Sequence, residues 1–218
     1  MDRTGWPGTY RRGRDLYTRN ATPGRRVYGE DLRTEDGIEY RRWDPFRSKL
    51  GAFLGRTTPY PLFDGVRSVL YLGGGHGTTV SHLADVLPDA TIFVVEKSPL
   101  AFAPLLAFAR ERANVLPILA DAQLPERYAA DVGTVELLYQ DVAQRGQASI
   151  FVENAAACLA DGGRGVLMLK VRSVTQSRPA SAVVAEARRT LLAAGRTVDG
   201  SVELAPFSRE HFALRVSA

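Results

Sequence analysis

Four short stretches of this 218-residue chain carry glycines and acids of kinds, and at positions, that suit chemistry on a bound ligand. The first is Gly73-Gly74-Gly75-His76-Gly77-Thr78-Thr79. Glycines such as Gly73 and Gly75 let a backbone approach a ligand closely, and the start of a following helix offers free N–H groups. It is not a phosphate-gripping loop, because no Gly-Lys-Ser/Thr follows. The second is Glu96, whose carboxylate can accept from both hydroxyls of a ribose and would repel a 2′-phosphate. The third is Asp121-Ala122, an acid able to take an adenine amino group, and the fourth is Asp141, beside the reacting end of such a ligand. Each acid alone reads equally well as a surface loop residue or a helix cap. Their occurrence at four successive strand ends is what points to a site.

Lysine usage is a second signal. Of 28 basic residues only Lys49, Lys97 and Lys170 are lysines. Where arginine serves nearly everywhere, a retained lysine marks a place for an amine of tunable pKa rather than a fixed guanidinium. Chance is the competing explanation, so the pattern matters only if these residues meet at one site. His76, in the glycine turn, and His82, on the next helix, are expected to pack or bond locally rather than do chemistry. The single cysteine, Cys158, lies in the apolar helical stretch NAAACLA and is expected to be a small core residue in a reducing compartment.

The elements that must position these groups follow from periodicity. VRSVLYLG (66–73) reads as a buried strand, and TTVSHLADVL (78–87) as an amphipathic helix with Val80, Leu83, Ala84 and Leu87 on one face. TIFVVE (91–96) is a second strand, followed by a helix capped by Ser98 and started by Pro99, with a kink expected at Pro104. NVLPILAD, TVELLYQD and GVLMLKV are strands three to five. ASAVVAEARRTLLAAG is a helix stopped by Gly195. TVDGSVEL and HFALRVS follow with no helix between them, which predicts a terminal hairpin and one antiparallel strand. The result is an α/β fold of Rossmann-like, class I methyltransferase type, with a seven-stranded mostly parallel sheet.

Residues 1–56 differ from this. DLYT, RRVYG and IEYRRW read as hairpin strands, and PFRSKLGAFLGR as a helix beginning at Pro45 and ending near Gly55. The division expected is a small N-terminal β-rich subdomain with a linking helix over 1–56, and a cofactor-binding domain over 57–218. The first part holds 13 Lys or Arg against 8 Asp or Glu, so it alone carries the basic excess of a chain whose net charge is +4. That permits a polyanionic partner without requiring one. With 45% hydrophobic residues, wholesale disorder is excluded. No apolar run approaches the ~20 residues that span a bilayer, and MDRTGWPGTYRRGRD lacks the apolar core of a secretory signal. No membrane association and no metal site is expected.

The motifs TRNATPG, VYGE, EYRRWDPFRSKL, VLYLGGGHGTTVSHLAD, NVLPILADAQLPERY, YQDVAQ and LMLKVRS run through most of the chain and closely resemble fibrillarin, in its archaeal form. The eukaryotic glycine- and arginine-rich tail is not seen. The resemblance implies an S-adenosylmethionine-dependent RNA 2′-O-methyltransferase with a Lys-Asp-Lys-His catalytic group: Lys49, Asp141, Lys170 and His211. It also implies cofactor contacts from Thr78, Thr79, Glu96, Lys97, Asp121, Ala122, Asp141, Val142, Ala143 and Gln144. Further implications are a box C/D guide RNA, a Nop-family scaffold protein and a kink-turn-binding ribosomal-type protein, with ribosomal RNA and transfer RNA as substrates in an archaeal cytoplasm. Gly74-Gly75-His76, Lys97 and Arg145-Gly146 depart from the residues usual in that family.

Transfer of a methyl group from a sulfonium to a ribose hydroxyl is an in-line displacement, in which the protein aligns two centres and removes a proton. Asp141 and Lys170 are expected to flank the 2′-oxygen. Lys170 either takes the proton or stabilises the alkoxide, and Asp141 either orients that amine or is itself the base. Lys49 and His211 complete the polar rim. Two other readings compete: a non-catalytic subunit of an RNA particle, and a methyltransferase for a small molecule or protein side chain. The first is opposed by retention of the whole catalytic group and Glu96. The second is opposed by the basic N-terminal part and the lack of an insertion able to close over a small substrate.

Overall fold

In the computed structural model, which describes residues 1–217, the basic N-terminal part forms a five-stranded antiparallel sheet. Its strands are β1 (Asp2–Arg3), β2 (Thr9–Arg12), β3 (Asp15–Arg19), β4 (Leu32–Glu35) and β5 (Ile38–Trp43), in the order β1-β2-β3-β5-β4. RRVYG, expected as a strand, is a loop. The N–H groups of Val27 and Tyr28 donate to the Glu30 carboxylate at 2.9–3.1 Å and are not available to a ladder. Helix α1 (Lys49–Arg56) begins four residues later than expected from Pro45. Ser48 is its cap, with Oγ accepting from Gly51 N–H at 3.2 Å, so Lys49 is the first helical residue.

The remainder alternates. It runs β6 (Ser68–Leu72), α2 (Thr78–Val86), β7 (Thr91–Glu96), α3 (Pro99–Ala109), β8 (Val115–Leu119), α4 (Ala129–Val132) and β9 (Val135–Gln140). Then come α5 (Gln147–Cys158), β10 (Leu159–Lys170), α6 (Val171–Val174), α7 (Ala180–Ala193), β11 (Thr197–Glu203) and β12 (His211–Ser217). The sheet order is β11-β12-β10-β9-β6-β7-β8, with β12 antiparallel to both neighbours and the other pairings parallel. This is the seven-stranded arrangement expected. Ser98 caps α3 as expected, and that helix continues through Pro104. Two boundaries differ: β10 begins at Leu159, so NAAACLA straddles a helix end, and Val171 opens α6 rather than closing the strand.

Side chains alternate across the sheet. Val69, Tyr71, Leu137, Tyr139, Val166 and Met168 face one core, and Leu70, Leu72, Leu138, Leu167 and Leu169 face the other. Cys158 is buried in the second core, as expected. The first core also includes Trp6, Leu16, Trp43, Leu50 and Phe53, so the N-terminal sheet and α1 pack directly onto the α2 side.

A buried polar seam fixes that packing. Arg41 of β5 donates to Glu30 at 2.6 Å, Asp85 at 2.8 Å and Ser81 Oγ at 2.8 Å, and Arg112 approaches the other Asp85 oxygen at 3.2 Å. His82 bonds Thr18 and Tyr28, each at 2.8 Å, and stacks on Trp43, with ring centroids 4.8 Å apart. Burial pushes its pKa well below the usual histidine value, so it is neutral and local, as expected of it. A charge removed from water costs several kcal/mol unless paired, so this seam admits one docking of the N-terminal sheet on α2. No helix among the described residues is long and apolar enough to cross a membrane.

Candidate active site

The parallel strands deliver their carboxyl ends to one edge of the sheet. Leu72 pairs with Gln140 across β6 and β9, and Glu96 with Leu119 across β7 and β8. Beyond them Gly73, Gly75, Glu96, Lys97, Ala122, Asp141, Val142, Ala143 and Gln144 line a cleft of about 310 Å³. Val95, Ser98 and Ala120 complete the lining, none of them foreseen as a site residue. That volume suits a small organic ligand. Gly73 has φ of +85°, and a Cβ there would strike the Asp141 carbonyl. Only glycine therefore allows the turns after β6 and β9 to approach so closely.

Glu96 is held by two backbone donors. Gly75 N–H reaches one oxygen and Ser98 N–H the other, both at 2.8 Å. Each carboxylate oxygen keeps a second acceptor position, as a pair of ribose hydroxyls would require. Asp121 stands at the cleft's edge and accepts from Gln123 N–H at 3.0 Å and from the Gln144 amide at 3.1 Å, with Lys97 Nζ 3.6 Å away. Burial opposes its ionisation, but these three donors prevail and hold the carboxyl below its ordinary range. Gln144 Oε1 is buried with no partner among the described residues, an acceptor free for a ligand donor in the cleft it lines. Glycine cradle, paired acceptors and orphaned amide oxygen together fit an adenosyl group. Thr78 and Thr79 stand outside the cleft lining, at the start of α2. Thr79 spends its hydroxyl on Ser48 Oγ at 3.0 Å and so ties the start of α2 to the start of α1.

That tie positions Lys49. Its Nζ lies 2.8 Å from Asp141 Oδ1 and 2.9 Å from Oδ2, across 92 positions of sequence. Asp141 therefore holds the amine of Lys49, where the sequence had paired it with Lys170. The Lys170 amine has no hydrogen-bond or ion-pair partner among the described residues. Lys170 closes β10 directly opposite His211, which opens β12. His211 lies within electrostatic reach of Lys49, Asp141 and Lys170, so the four residues form one group. Asp141 also lines the cleft, as does Lys97, whereas Lys49 and Lys170 stand outside its lining.

His211 Nδ1 sits 2.8 Å from the Arg209 carbonyl, which can only accept, so Nδ1 carries the proton and Nε2 presents a bare lone pair. Burial, assisted by Lys49 and Lys170, pushes its pKa below 6.5 against the opposing pull of the Arg209 carbonyl and Asp141. The ring is neutral at neutral pH. His76 is exposed in the glycine turn.

Gln147 was not foreseen. Its side chain donates to Lys170 O at 3.0 Å and accepts from Lys170 N–H at 2.8 Å, and its own carbonyl accepts from Gln140 Nε2 at 2.7 Å. The β9–β10 ladder ends at Gln140, and Gln147 takes over where the strands part. A signal was present: Gln147 and Asn154 share the buried stripe of α5 with Ile150, Phe151 and Cys158, two amides where the pattern asks for apolar side chains.

Comparison with known proteins accords with this geometry. The family model for Fibrillarin matches residues 6–218. The fibrillarin-like rRNA/tRNA 2′-O-methyltransferase of Aeropyrum pernix is 42% identical over 198 residues, covering 90% of this chain and 84% of that one. A solved structure of Aeropyrum pernix fibrillarin with natively bound S-adenosyl-L-methionine superposes with a TM-score of 0.85 at 41% identity, covering 93% of this chain and 88% of that one. A fibrillarin/Nop5p complex gives 0.86 at 34% identity, covering 98% and 99%. A match across nearly the whole chain, together with this identity, means that the protein belongs to the fibrillarin family.

Proposed function

We propose that this protein is an S-adenosylmethionine-dependent RNA 2′-O-methyltransferase, the catalytic subunit of a box C/D guide ribonucleoprotein acting on ribosomal and transfer RNA. The observation that carries it is Asp141, which both lines the adenosyl cleft and grips Lys49, so that cofactor and catalytic group share one residue. The bound S-adenosylmethionine of the Aeropyrum pernix relative supports the cofactor, and the fibrillarin/Nop5p complex supports a Nop-family scaffold. The guide RNA and kink-turn-binding protein rest on the family resemblance. The labour divides near residue 56: residues 1–56 supply Lys49 and the basic surface, and 57–218 supply the cofactor cleft and the other catalytic residues.

When bound, S-adenosylmethionine supplies an already activated methyl group on sulfur. Glu96 would accept from its ribose hydroxyls, and Asp121 and Gln144 would receive the adenine end. The protein's own chemical task would be to align the RNA 2′-hydroxyl with that methyl group and to accept the hydroxyl proton. His211 Nε2 takes that proton in this reading, which its free lone pair and neutral ring support. Both Asp141 oxygens already accept from Lys49, so Asp141 fixes the amine beside the reacting oxygen. The unpartnered amine of Lys170 stabilises negative charge developing there.

The described residues form no separate RNA-reading unit, and phosphate contacts from a modest basic excess do not select one nucleotide. Purified protein with cofactor and protein-free ribosomal RNA should leave no defined nucleotide methylated. Addition of guide RNA, scaffold and kink-turn protein should methylate the ribose that the guide specifies. Efficient modification of one defined nucleotide by the protein alone would recast it as a stand-alone enzyme.

A further inference from the structure

An aromatic pair joins the segment that leads into Lys49 to the segment that leads into His211, and is used neither by the core nor by the cofactor cleft. Phe46 is 65% exposed, an unusual state for phenylalanine. Its ring meets Phe207 edge to face, with centroids 5.1 Å apart. Phe46 lies three residues before Lys49, in the turn that leads into α1, with its N–H held by Asp44 at 2.9 Å. Phe207 lies four residues before His211, in a loop closed by a Leu204 N–H to His211 carbonyl bond of 2.9 Å. The pair thus joins the two segments that carry Lys49 and His211.

Its surroundings are cationic. Phe207 lines a second cleft, of about 270 Å³, together with Arg11 and Arg14. Those two arginines, with exposed Arg209 two residues after Phe207, form no ion pair among the described residues, whereas the Arg47 guanidinium lies over the Tyr28 ring, 5.8 Å from its centre. Flat aromatic faces flanked by unpaired guanidinium groups match the chemistry of an RNA strand, whose bases stack on aromatic rings and whose phosphates take arginine. An apolar protein partner would find this charge unfavourable.

Resting on the function proposed above, we infer that Phe46 and Phe207 form a platform on which a nucleobase of the target RNA, beside the modified ribose, stacks. The arginines take the flanking phosphates. The platform orients the strand so that the 2′-hydroxyl enters the group of Lys49, Asp141, Lys170 and His211.

The test is single-turnover methylation by the reconstituted particle at subsaturating target RNA. It compares the wild type with Phe46→Leu, Phe207→Leu and Phe46→Trp, and each with targets made abasic at one nucleotide on either side of the modified ribose. Calorimetry with S-adenosylmethionine checks that each variant is folded and its cleft intact. Both leucine variants should lose about 5- to 150-fold in kcat/KM, the range for removing one base–aromatic stack. Phe46→Trp should retain wild-type values. One abasic target should cost the wild type a similar factor and cost Phe46→Leu nothing further. Wild-type kcat/KM in the leucine variants, or an undiminished abasic penalty, would overturn the platform. Loss arising from weaker assembly with the scaffold, read on native gels, would also overturn it and make the pair a protein interface. A wild-type particle that methylates no ribose would instead refute the underlying function.

Discussion

Gln147 offers the sharpest test of how the catalytic group is held. Methionine at this position keeps the length and volume of the side chain but removes both bonds to Lys170, leaving its N–H and carbonyl without partners beside a residue that is 1% exposed. Each orphaned buried group costs about 1–3 kcal/mol, and burial of the methionine thioether offsets part of that. The expected destabilisation is about 2–4 kcal/mol. The end of β10 then loses its tether just where Lys170 must point at the reacting oxygen, and a displacement of about 1 Å costs on the order of 100-fold in rate. Gln147 does not line the cofactor cleft, so S-adenosylmethionine affinity should be unchanged. Gln147→Glu keeps an acceptor for the Lys170 N–H and should fall between the two. Chemical denaturation, calorimetry with cofactor and single-turnover methylation read these three quantities separately. Stability within about 0.5 kcal/mol of wild type, together with normal turnover in Gln147→Met, would refute the clamp.

Two further outcomes follow from the site. Glu96→Ala removes the ribose acceptor and should weaken S-adenosylmethionine binding by about 1.5–3 kcal/mol in calorimetry, whereas unchanged affinity would mean that the adenosyl group lies elsewhere. If His211 accepts the proton, only its neutral form does so, and because burial lowers its pKa the acid limb of the single-turnover rate should lie at lower pH than that of an ordinary imidazole, with the rate rising as pH rises through it. His211→Asn should lose that limb and about 10²–10⁴ in rate, and survival of the limb would assign the proton to another group.

Much of the site was legible because it follows from local pattern. Strand ends are marked by a change from period two to helical spacing, and acids standing at those ends must share one edge of a parallel sheet. Glu96, Asp121 and Asp141 could therefore be grouped from the sequence, and the scarcity of lysine pointed to the same edge. Gly73 was legible for a related reason, since a glycine between a strand and a helix signals a close approach. RRVYG misled because its composition suits a strand, while a carboxylate three residues on claims the N–H groups a strand would need.

The sequence by itself determined the alternating α/β core, the terminal antiparallel hairpin, the cofactor edge and, through its motifs, the family. Tertiary structure alone decided that Asp141 pairs with Lys49 rather than Lys170, that Gln147 secures the end of β10, and that Arg41, Asp85 and His82 lock the N-terminal sheet onto α2. The physical reason is range. Periodicity and capping are interactions between near neighbours in the chain, and residue types at fixed spacing express them. The partner of a buried charge or amide is whichever group packing brings within about 3 Å, and for Lys49 that group lies 92 residues away, at a distance no local pattern encodes.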